Sequence, residues 1–190
     1  STDREGDIHV RDNVGGVTFL ADTNGRFSGH FPGPVLVDAS TAGPAGDPAE
    51  TAFNLGGAPG GTVRGFHITG AADAGIQVRA GGTGSRVLDN ILFANERRGV
   101  EVAGADEAMV QNNLIYANGT GGVRVRQSNQ TQVINNTVYG NGADGVLVGG
   151  SGDGDTSTDI ALVRNIISEN GGAEVKVETN ALQGYQSAFN

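Results

Sequence analysis

The 190-residue chain has no cysteine, no tryptophan and a single methionine. Without thiols it can build neither a disulfide framework nor a thiolate metal site. Aromatic residues make up 5% and hydrophobic residues 37% of the chain. That is little with which to fill a compact globule, but enough for a narrow interior lined by Val, Ile and Leu. Basic residues are scarce as well: 12 against 21 acidic ones give a net charge of −9 and a pI near 4.6. This argues against nucleic acid and anionic membranes as main partners, since both need a basic footprint; divalent cations stay open. No apolar run approaches the ~18 residues of a membrane span. No leader-like segment is seen, as expected of an exported protein whose leader has been removed. Proline is limited to 5 residues while glycine reaches 33, which excludes collagen and proline-rich linkers. The composition reads as bacterial and extracellular.

What the chain does have is a repeat. Asn90, Asn113, Asn136 and Asn165 recur at intervals of 23, 23 and 29 residues. The same intervals separate Asn95, Asn118, Asn141 and Asn170, and also Gly99, Gly122, Gly145 and then Glu174. The six extra residues fall inside "GGSGDGDTSTD", one inserted loop in an otherwise regular array. Upstream, Gly75 opens "GIQV", 24 residues before "GVEV" at 99–102. Six rungs then read AFNL, GIQV, GVEV, GVRV, GVLV and EVKV, with apolar residues alternating at the period of a strand. Two further apolar columns follow: Ile68, Leu92, Ile115, Val138, Ile167, and Val63, Val87, Val110, Val133, Leu162.

Three short strands per repeat, without hairpin turn signals, describe a coil rather than a meander. One coil alone buries too little to offset the entropy of ordering itself. Stacked coils share hydrogen bonds and a continuous core, which is the logic of a solenoid. Asparagine at a bend is expected to take the left-handed conformation and bond to the asparagine above it. Glycine before each Val-x-Val strand is expected to supply the dihedrals of the next corner. The structural ladders are therefore Asn90, Asn113, Asn136 and Asn165; Asn95, Asn118, Asn141 and Asn170; and Gly75, Gly99, Gly122 and Gly145.

Repeats such as "VQNNLIYANGTGGVRV", "VINNTVYGNGADGVLV" and "VLDNILFANERRGVEV" resemble those of the pectin-lyase-like superfamily. The resemblance implies an all-β, right-handed parallel β-helix of about six coils of ~23 residues over 35–178. A less regular lead-in occupies 1–34 and a lead-out 179–190. It also implies a module of a large bacterial surface protein. The superfamily spans polysaccharide lyases, hydrolases, epimerases, adhesins and structural modules, so function must come from a site.

Four features offer chemistry. Outward residues of the Val-x-Val rungs are Gln77, Glu101, Arg124, Leu147 and Lys176; here Glu101 and Arg124 read as a cross-strand ion pair and Leu147 interrupts the polar face. The superfamily's hydrolase and epimerase patterns survive only as fragments, "GHF" at 29–31 and Asp47-Pro48-Ala49, and His67 has no carboxylate partner in its register. Asp153, Asp155, Ser157 and Asp159 place oxygen ligands at every second position of the inserted loop, a candidate calcium site. Alternation sends Phe93, Tyr116 and Tyr139 outward in one column, flanked by Ile91 and Leu114, a candidate glycan or partner face.

The sequence thus points to a non-catalytic extracellular module, structural or adhesive. It would assemble end to end with copies of itself or with neighbouring modules, and could bind polysaccharide or calcium. The alternative is a polysaccharide lyase or epimerase acting on an acidic glycan.

Overall fold

The computed structural model describes residues 8–9, 16–21, 33–40, 50–57, 59–150 and 155–190. The chain winds as a parallel β-helix with three sheets, every strand pairing with strands of the neighbouring coils. The first sheet runs through Ile8–His9, Thr51–Asn54, Ala74–Arg79, Arg98–Ala103, Gly121–Arg126, Val146–Val148 and Val175–Val177. The second holds Thr18–Leu20, Thr62–Arg64, Arg86–Leu88, Met109–Gln111, Gln132–Ile134, Ala161–Val163 and Gln186–Ala188. The third holds Val35–Asp38, Phe66–Thr69, Ile91–Phe93, Leu114–Tyr116, Thr137–Tyr139 and Ile166–Ser168. Strands thus also lie outside 35–178. Thr18–Leu20 and Gln186–Ala188 join the second sheet because each meets a neighbouring coil in register.

The register follows the repeat. Val100 sits between Ile76 and Val123, and Val123 is followed by Val146 and Val175. Ile115 lies between Leu92 and Val138, and Val110 between Val87 and Val133. All these residues but Val175 are buried, and they form one core down the tube. At the N-terminal end the filling changes from aliphatic to aromatic: Phe53 packs between Phe19 and Phe66 at ring-centroid distances of 5.6 and 5.0 Å.

Two details of the corners differ from expectation. The left-handed residue is the one before each ladder asparagine: Asp89, Asn112, Asn135 and Arg164 have φ of 54–58°. In "QNN", Asn112 therefore makes the bend and Asn113 fills the tube. The ladder glycines do not have positive φ at all. A Cβ on Gly99, Gly122 or Gly145 would collide with Ile115, Val138 or Ile167 of the adjoining sheet, and one on Gly75 would press on Leu92. Glycine is needed there for space, where the backbone of one sheet crosses the apolar column of another.

Candidate functional site

Inside the tube, polar side chains serve the architecture. The Asn113 Oδ1 accepts from the backbone N–H of Asn90 at 2.9 Å and from its side-chain amide at 3.1 Å. Asn136 does the same for Asn113, and Asn165 for Asn136. The second amide hydrogen of each goes to a backbone carbonyl one coil back, that of Val87, Val110 and Val133 respectively. Asn190 takes the next place, accepting from Asn165 at 2.9 Å; its 25-residue interval hides it from a strict 23-residue count. The second ladder links Asn95, Asn118, Asn141 and Asn170 in the same manner. The third corner has a short serine version, missed by the repeat alignment: Ser157 Oγ accepts from the Ser128 amide, and Ser128 Oγ from the Ala105 amide. Such buried groups are expensive to leave unpaired, so they hold the coils in register.

The outer face of the third sheet carries the aromatic column. Phe93 and Tyr116 stack with centroids 5.4 Å apart and planes 7° from parallel; Tyr116 and Tyr139 stack at 5.3 Å and 6°. Ile91 and Leu114 lie half-buried beside them, one rung apart. Because the rings stack on each other along the tube axis, their faces are mutually covered. Only Phe93 towards Thr69 and Tyr139 towards Ser168 lack a ring partner on one side. The column zips coils together more than it offers a flat platform.

The outer face of the first sheet holds what pattern reading underestimated. Glu101 is no simple partner of Arg124: it is buried at 5% exposure, and its Oε1 lies 3.2 Å from Arg126 Nε, 3.8 Å from Arg124 and 3.9 Å from Arg98. Asp73 approaches Arg97 at 3.0 Å and Arg98 at 3.7 Å. Gln77, also buried, donates to Asp73 at 2.6 Å and accepts from Arg79 Nε at 2.6 Å. Burial pushes the Arg98 guanidinium below its usual pKa; Glu101 opposes that shift and the neighbouring Arg124 adds to it. A pocket of about 160 Å³ opens beside the cluster, lined by Arg98, Thr120, Gly121, Arg124, Asp144 and Leu147 among others. The sequence signal existed, in charges at the outward positions of consecutive rungs, but flanking Arg98 and Arg126 had to be placed before their convergence showed.

Of the candidate calcium ligands, Asp153 lies outside the described residues. Asp155 faces Arg124 and Arg126 at 3.8 and 3.6 Å. Ser157 is fully buried in its ladder, and Asp159 makes a left-handed turn against Gln183 and Gly184. Among the described residues, no three His or carboxylate groups gather as a metal would require. Nor is any helix among them long and apolar enough to cross a membrane.

Among solved structures, the fold is similar to the periplasmic alginate epimerase AlgG, with a TM-score of 0.74 and 15% identity over 95% of this chain and 40% of that one. A double mutant of the same epimerase gives 0.72 and 15% over 96% and 40%. An aspartate-to-alanine mutant gives 0.74 and 15% over 95% and 40%. The chain thus spans about 40% of the length of these structures. No curated protein matches the sequence. The profile described as "Right handed beta helix region" matches residues 49–188, the same coils that carry the ladders and core columns, and the chain belongs to that family.

Proposed function

We propose that this chain is a β-solenoid module working outside the cytoplasm, structural or adhesive, that contacts polysaccharide without transforming it. The observation that carries the reading is the allocation of its polar groups. Buried asparagines pair with one another down the tube, and Glu101, the most deeply buried carboxylate of the first-sheet face, is surrounded by three arginines rather than facing an open cleft. The likeness to a periplasmic enzyme named for alginate supports both the location and the polymer class. Its test is incubation with alginate, pectate and chondroitin. Retention on at least one immobilised polymer is expected, with no ultraviolet absorbance from unsaturated product and no deuterium taken up from solvent.

The structural match also favours a second reading, epimerisation of an acidic glycan. Deuterium incorporation at a sugar carbon would establish it over the first, and unsaturated product would establish a lyase.

End-to-end assembly is part of the proposal. Val175–Val177 and Ile166–Ser168 are outermost in their sheets among the described residues, so a further coil, from a neighbouring module or a copy, would pair there. Light scattering across concentration should show growing particles; a strict monomer throughout would remove this part.

A further inference from the structure

We propose that Arg98 and Arg124 form an oxyanion-binding pocket on the outer face of the first sheet, which takes one carboxylate or sulfate group of a ligand. The site goes beyond the module reading and stands or falls without it.

The argument starts from donors. Arg64, Arg79 and Arg126 each use Nε in a hydrogen bond, to Asp89, Gln77 and Glu101 respectively. Among the described residues, the side chains of Arg98 and Arg124 make none. Their terminal nitrogens stand 3.7–3.9 Å from the carboxylates of Asp73, Glu101 and Asp155. These are ion-pair distances, too long for charge-assisted hydrogen bonds. The Arg124 Nε is buried and has no hydrogen-bond partner among the described residues. Yet both side chains are largely withdrawn from water, at 13% and 18% exposure. Buried donors normally find acceptors, so two guanidiniums in this state mark an incomplete arrangement.

The space is present. Arg98 pairs in register with Gly121 on the next rung, which carries no side chain and has the Asp144 carbonyl close by. The pocket of about 160 Å³ lies there, with Leu147 from the following coil among its lining residues. Arg98 and Arg124, both in its lining, repel each other, and burial already disfavours the charge of Arg98. An oxyanion between them would relieve both penalties and accept from both forks, the geometry in which guanidinium binds carboxylate or sulfate. Two groups in the lining could oppose this. Thr120 already donates to the Arg97 carbonyl, and Asp144 accepts from the Ala173 amide at 2.9 Å, on the side of the next coil. Glu101 Oε1 lies 3.9 and 3.8 Å from the two guanidiniums but does not line the pocket, so the ligand would be a second acceptor on their pocket side.

The test uses the whole chain with ¹⁵N-labelled arginine, titrated with sodium glucuronate and, separately, with sodium sulfate. The Nε–H resonances of Arg98 and Arg124 should shift saturably, while that of Arg64 stays put. Saturation by glucuronate alone assigns a carboxylate, by sulfate alone a sulfate, and by both a general oxyanion site; each supports the pocket. Shifts that sodium chloride reproduces at matched ionic strength, or no shift, overturn it. R98Q/R124Q should bind at least tenfold more weakly and R64Q as wild type; a folded R98Q/R124Q that binds unchanged also overturns it. Polymer retention that persists in R98Q/R124Q leaves the module reading standing whichever way the pocket test falls.

Discussion

The outer faces of the first and third sheets answer the same constraint in opposite ways. Parallel coils set equivalent residues about 4.8 Å apart, so whatever side chain one rung presents meets its counterpart on the next. On the third sheet the counterparts are alike: Phe93, Tyr116 and Tyr139 stack ring on ring. On the first sheet they must differ, because like charges at that spacing repel. Gln77, Glu101 and Arg124 follow one another there, with Arg98, Arg126 and Asp73 filling the flanks. Uniform columns join coils and nothing more. A column that changes from rung to rung defines one place along the tube, and one place is what a ligand needs.

Substitutions can break this contrast or sharpen it. The largest effect should come from beneath both faces. Asn136→Ala removes the acceptor for the Asn113 amide groups and the donor to the Val110 carbonyl. At about 1–3 kcal/mol for each buried group left unpaired, a loss of about 3–5 kcal/mol is expected in denaturant unfolding. On the first-sheet face, Glu101→Gln leaves three arginines without their shared carboxylate and should cost about 3 kcal/mol; added sulfate should restore part of that stability if the arginines accept an anion. On the third-sheet face, Tyr116→Ala removes two stacked pairs worth about 0.5–1.5 kcal/mol each, and no anion should restore the loss. Smallest is Arg64→Gln, whose ion pair with Asp89 is half-exposed; a change under about 1 kcal/mol is expected. Equal responses of the two faces to sulfate would erase the distinction.

The difference between faces also explains what could be read in advance. Inward residues repeat because every coil must fill the same cross-section, so Val100, Val123 and Val146, or Asn113 and Asn136, announce the fold in their spacing. The backbone reasons were harder to read. Spacing puts Gly122 in its column but does not tell whether the position needs positive φ or lacks room; the nearness of Val138 settles it. The first-sheet cluster was legible only in part. Glu101 and Arg124 are vertical neighbours by count, whereas Arg98 and Arg126 reach Glu101 by side-chain length and direction, which no period encodes. Asp155 belongs with those arginines for the same reason, though its place in an alternating acidic loop suggested a cation instead.

Stacking of equivalent coils can be tested by excision. Deleting residues 113–135 removes one repeat and joins Asn112 directly to Asn136, so that bend, ladder and all three strands remain in phase. Deleting 113–124 removes half a coil and throws every later residue to another side of the tube. The in-phase deletion should keep its β-sheet circular dichroism and a cooperative melt in a shorter particle, while the out-of-phase one should lose both. Two deletions that fold equally well, or fail equally, would contradict the account.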